Sequence, residues 1–145
     1  MEVVERPRLY LFGIEVVAPF AQLSTAVPEA WGQLRARSDE LPGGPARVLA
    51  EVSLHLGEGV YRETVGVLVD DLGPVPAGMT AAFVDAGSYV HHRHEGVVEQ
   101  IAHGFQSIYD WAAEQGVALG PVKVDIGYTA DGSPRPHDLF IDVVG

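Results

Sequence analysis

The chain contains no cysteine. That excludes disulfides, thiolate nucleophiles and thiolate-ligated metal centres, and it agrees with a reducing compartment. Basic residues are scarce: 9 Lys and Arg stand against 20 Asp and Glu, a formal net charge of −11. Such a surface repels phosphate backbones, so direct DNA or RNA binding is not expected. It favours a cationic or basic partner, although solubility alone also explains it. No apolar run approaches the roughly 20 residues that cross a bilayer. The start, Met1-Glu2-Val3-Val4-Glu5-Arg6-Pro7, lacks the basic and apolar regions of a secretory signal. A cytoplasmic protein without membrane contact is the expectation. Gly-x-x-x-x-Gly-Lys, Gly-x-Gly-x-x-Gly and Gly-x-Ser-x-Gly are all missing, so no phosphate loop, dinucleotide fingerprint or nucleophile elbow is present and no cofactor is expected.

What is present is a globular composition, with 145 residues, 47% of them apolar and 20% charged. One domain spanning residues 1–145 is long enough to bury a core. The order of patterns repeats. Leu9 to Val17 reads as a strand, and about Val27 to Arg37 as a helix with Pro28 in its first turn. Arg47–Leu56 and Tyr61–Asp70 alternate as strands around the hairpin loop Gly57-Glu58-Gly59. Gly73 to Gly78 is a turn-rich joint. Beyond it Met79–Val84 and Ser88–His92 are extended. Val97–Gln115 carries a helical apolar face of Val98, Ile101, Ala102, Phe105, Ile108, Tyr109 and Ala112, closed by Gly116. Val122–Tyr128 and Leu139–Val144 are the last strands. The repeat, roughly 8–72 and 78–145, predicts two βαββ units sharing one antiparallel sheet with both helices on one face: α+β, not a doubly wound parallel sheet.

Several side chains invite a chemical reading. His92 and His94 share a strand face, but Arg93 separates them and no helical two-His spacing adds a partner. His55, His103 and His137 are isolated, so hydrogen-bonded or solvated histidines are favoured over a metal site. Glu63 shares a face with Tyr61, Val65 and Val67. A carboxylate there is either a surface residue at the sheet edge or an anion in a pocket.

The segment Ala86-Gly87-Ser88-Tyr89-Val90-His91-His92-Arg93-His94-Glu95-Gly96 resembles the signature of the GyrI-like, AraC-type effector-binding family. Asp85 stands at that family's usual proline and His92 at a frequent phenylalanine. Ala26-Val27-Pro28-Glu29-Ala30-Trp31 is similar to its helix start, and Val65-Gly66-Val67 to its glycine-containing third strand. Asp138-Leu139-Phe140-Ile141-Asp142-Val143 is similar to its closing strand. The resemblance covers nearly the whole chain in the right order.

It implies two βαββ modules about a pseudo-twofold axis, with a ligand cleft between them. Members of the family bind lipophilic, often cationic, small molecules, alone or fused to helix-turn-helix domains. Because the resemblance runs from near residue 8 to the C-terminus, it implies a standalone binding protein rather than a transcription factor. The family's pocket glutamate has its nearest match in Asp125, with Tyr128 displaced by one position from the family's tyrosine. The candidate ligand-binding set is Trp31, Tyr61, Glu63, His92, Trp111, Asp125 and Phe140, with core packing the competing reading for Trp31 and Trp111.

Three functions follow for testing. The first is a sequestering or sensing module, where aromatic walls and a carboxylate would hold a lipophilic cation. The second is a hydrolase of electrophilic small molecules, with Glu63 as general base. The third is a modulator of a basic protein partner. A weak homodimer also remains open.

Overall fold

The computed structural model describes residues 1–145. Eight strands are present: β1 (Glu2–Arg6), β2 (Leu9–Pro19), β3 (Leu49–Gly57), β4 (Val60–Val69), β5 (Thr80–Val84), β6 (Gly87–His94), β7 (Leu119–Tyr128) and β8 (His137–Val143). Two helices, α1 (Phe20–Ala36) and α2 (Ile101–Gln115), complete the main elements. The sheet is antiparallel throughout, in the order β1-β6-β8-β7-β3-β4-β2-β5. The expected α+β class is therefore observed, with β3 and β7 meeting at the centre.

Helix α1 begins seven residues earlier than the sequence pattern suggests, directly after Pro19. Pro28 consequently lies inside it rather than in its first turn. Proline removes one backbone N–H and frees the carbonyl four residues earlier, that of Ser24. Ser24 is exposed, so water can take that carbonyl. The first residue is held from outside the helix: the Phe20 N–H donates to the Gly59 carbonyl at 3.0 Å. Sequence reasoning treated the proline as a start signal because it could not see that anchor. Ala30, Trp31 and Leu34 bury the helix against Phe12, Leu49, Val65 and Val67.

Helix α2 packs Ile101 and Ile108 onto Val90, Leu139 and Ile141. Gly104 permits this approach, since a Cβ there would come 2.7 Å from Leu139 Cδ1. Gly116 ends the helix in the left-handed conformation at φ 70°. Both helices cover the same sheet face, because Glu51 beneath α1 pairs directly across from Asp125 beneath α2.

The other face is buried without a helix. Leu11, Val52, Val84, Tyr89, Val124 and Phe140 form its core. Connectivity explains how. Pro7-Arg8 joins β1 to β2, and Asp85-Ala86 joins β5 to β6. Each link bridges six inter-strand steps of the sheet order. In a flat sheet six steps span about 29 Å, whereas two linking residues reach only about 11 Å. The sheet must therefore curl until its ends meet, enclosing the second core. Arg8 pairs with Asp85 at 3.3 Å across the seam, and the Tyr89 hydroxyl donates to the Asp85 carbonyl at 2.6 Å. Strand β1 went unread in the sequence: Glu2–Arg6 is short and weakly alternating, and pairing with Gly87–His91 decides its state.

Candidate functional site

Two cross-strand rows floor a cleft between the helices. In the first, Val65 of β4, Glu51 of β3 and Asp125 of β7 stand side by side. In the second, Glu63, Ser53 and Lys123 do the same. Directly opposed residues share a face, so three carboxylates and one ammonium rise into the space under the helices. Phe20 from α1, Ile101, Phe105 and Tyr109 from α2, and Tyr128 at the end of β7 wall it. The cavity measures about 450 Å³. A second cavity of about 440 Å³ adjoins it along α1 and shares Phe20, Glu51 and Glu63. A larger groove of about 990 Å³ opens beside the loops around Leu41 and Asp70, but no buried charged side chain lines it.

The carboxylates differ in their partners. The Trp31 indole donates to Glu51 Oε1 at 2.9 Å. Burial nevertheless raises the Glu51 pKa, with Asp125's charge adding to the effect. Asp125 Oδ1 lies 2.6 Å from His137 Nδ1, and both residues are buried. Glu63 is only 6% exposed, and its Oε2 has no hydrogen-bond partner. Burial, reinforced by the charge of Glu51, pushes its pKa up to about 7 against the opposing pull of Ser53 and Lys123. Glu63 is thus the one cleft carboxylate with a buried oxygen lacking a partner in the fold.

Tyr128 reaches the cleft through an irregularity. Leu49 pairs with Tyr128 and Ala50 with Ile126, leaving Gly127 as an inserted residue at φ 148°. The bulge returns Tyr128 to the face of Asp125, although strict alternation would put it on the other side. Its ring lies 4.3 Å from that of Trp31 and meets His137 edge-on at 4.6 Å. The one-position displacement seen in the sequence is absorbed here.

The expected site residues are distributed as follows. Glu63 and Asp125 line the cleft. Trp31 stands behind it, bonded to Glu51, and Tyr61 stands beside Phe20 with ring centroids 5.9 Å apart. His92 faces α2 near Gly104, outside the wall, and Trp111 packs against the core of Val90, Ile101, Ile108, Leu139 and Ile141. Phe140 lies on the reverse face, stacked on His91 at 4.8 Å with the Arg6 guanidinium 4.6 Å above its ring. Strand parity separates Phe140 from the cleft, since Leu139 and Ile141 point toward α2.

Sequence reasoning missed Glu51, Lys123, Phe20, Phe105, Tyr109 and Tyr128 as cleft residues. Glu51 and Ser53 alternate with apolar neighbours, which reads as a solvent face, and Phe105 and Tyr109 read as helix core. The available signal was pairing: hairpin register through Gly57-Glu58-Gly59 places Ser53 opposite Glu63. No group of three or more His, Asp or Glu side chains is arranged to hold a metal ion. No helix is long and apolar enough to cross a membrane.

This eight-stranded antiparallel sheet with two helices on one face is a fold shared with solved structures that include a bacterial transcription regulation protein of Staphylococcus aureus, and its α+β class is the one that the sequence resemblance implied. No family model matches the chain. Over 117 residues it is 29% identical to the transcriptional regulator BrlR of Pseudomonas aeruginosa, matching 79% of this chain and 43% of that protein. The chain thus spans less than half the length of the curated relative it matches. The structure of SAV2435 bound to tetraphenylphosphonium superposes with a TM-score of 0.74 at 13% identity, covering 99% of this chain and 93% of that one. The C-terminal domain of EcmrR gives 0.65 at 15% identity, covering 99% and 96%.

Proposed function

We propose that this protein is a binding module for lipophilic small molecules, with a preference for cations, serving to sequester or to sense them. The observation that carries the reading is Glu63: a buried acid without a partner at Oε2, beside a second carboxylate and among aromatic walls. An unpaired buried charge is costly, so a ligand cation seated there stabilises the ionised form. Phe20 and Tyr128 offer ring faces for the ligand's apolar body. The ligand in SAV2435, a lipophilic cation, is of the same chemical class. The relation to BrlR supports a sensing role, the ligand being read by a larger regulatory assembly.

Calorimetric titration with tetraphenylphosphonium tests the proposal. Saturable binding is expected, weakened about tenfold or more in Glu63→Gln, the order of one desolvated charge interaction. Equal affinity in the variant would remove Glu63 from the site. No saturable binding to the folded wild type would end the cation reading.

A second reading rests on the same oxygen. With its pKa near 7, Glu63 is suited to accept a proton from water attacking a strained electrophile. Turnover of an epoxide probe, abolished in Glu63→Gln while binding persists, would favour a hydrolase.

A further inference from the structure

The chain contains a single lysine, Lys123; its other eight basic residues are all arginine. That lysine is half-buried and in no ion pair. It lines the cleft from β7, opposite Ser53. Its ammonium lies 5.7 Å from the centroid of Phe105 and 5.6 Å from that of Tyr109. Both distances are within cation–π range, and the two rings lie on one side of α2, four residues apart. No carboxylate approaches the ammonium within 4.0 Å, although three line the same cavity.

We infer that Lys123 is the specificity-determining residue of the cleft: a tethered cation that occupies the Phe105–Tyr109 shelf and that a ligand cation must displace. This rests on the cleft being a cation site, as proposed above. Two rings set side by side over a cavity containing carboxylates are where a ligand cation gains most. In the free protein the chain's own ammonium holds that place. Lysine suits the role because its charge sits on a flexible four-carbon stem that can swing aside, unlike a fork-shaped guanidinium. When displaced, the ammonium stays in the cavity with Glu63 and competes for it. A ligand therefore has to outcompete Lys123 for the rings and again for the carboxylate. The competition filters by hydration. A small, strongly hydrated ammonium gains little by replacing another. A bulky delocalised cation loses little water and brings apolar area that Lys123 lacks, so it is the class selected.

Binding of tetraphenylphosphonium and of its isosteric anion, tetraphenylborate, to wild type, Lys123→Met and Lys123→Arg tests the inference. Methionine keeps the length and apolar stem without charge. Lys123→Met should bind the phosphonium three- to tenfold more tightly and the borate more weakly, whereas Lys123→Arg should not tighten phosphonium binding. Phosphonium binding that is unchanged or weaker in Lys123→Met, with the wild type binding normally, would overturn the inference and leave the cation site standing. Binding to neither wild type nor Lys123→Met would overturn both.

A direct readout comes from the lysine being unique. Its ε-methylene resonance should lie upfield in the free protein through the ring currents of Phe105 and Tyr109. It should move toward the ordinary lysine position on saturation with phosphonium. A resonance that stays in place on saturation would show that the ammonium is not displaced.

Discussion

At the residue scale, Glu63 dominates. Burial raises its pKa from 4.5 to about 7 in the folded protein, so folding favours the protonated acid. The resulting stabilisation is fully present below pH 4.5 and is lost as pH rises through about 7. At about 1.4 kcal/mol per unit, the loss across this window is on the order of 3 kcal/mol. Glu63→Gln should flatten that part of the stability–pH curve and be the more stable form at pH 8, by about 1–2 kcal/mol after the burial cost common to both polar groups. Urea unfolding at pH 5 and pH 8 measures the difference. An equally steep pH dependence in the variant would assign the titration to another group, with Glu51 the next candidate. A cation seated at Glu63 must also release a proton between those pH values, which calorimetry in buffers of different ionisation enthalpy detects.

At the element scale, the bulge in β7 decides which side chains enter the cleft. Gly127 has a φ of 148°, and a Cβ there would lie 2.8 Å from the Pro136 carbonyl oxygen. Gly127→Ala therefore meets both backbone strain and a clash with β8's leading edge. A loss of about 2–3 kcal/mol is expected. Because the bulge sets Tyr128 against Trp31, the variant should also change the emission of the buried indole. Wild-type stability with wild-type emission would mean that β7 tolerates another way of placing Tyr128. The bulge was half legible in sequence. Gly127 marked a place where a strand can bend, but the direction in which Tyr128 then points depends on the pairing of Leu49 and Ala50 across the sheet.

At the scale of the whole molecule, curling the sheet separates two cores, one on each face. The helix-covered face holds the cleft. The enclosed face is sealed at its seam by β1, whose Arg6 covers Phe140 and whose Val4 packs into the core. Removal of residues 1–6 should lower the unfolding free energy by about 3 kcal/mol, roughly the burial of one or two large side chains. Phosphonium binding at the cleft should survive in the folded fraction. Loss of binding at full stability would show that the seam shapes the cleft after all.

The sequence by itself determined the alternation and turn chemistry of seven strands, two amphipathic helices, the α+β class and the anomaly of an acid at position 63. These are local matters of periodicity, glycine placement and one carboxylate among apolar neighbours. Tertiary structure alone decided the rest. Cross-strand register aligned Glu51 with Asp125 and Glu63 with Lys123 through Ser53. Strand parity sent Phe140 to the enclosed core and left the cleft walls to Phe20, Phe105, Tyr109 and Tyr128. A strand's periodicity says which residues share a face but not which face becomes the site; that depends on which neighbours pair and where the helices lie.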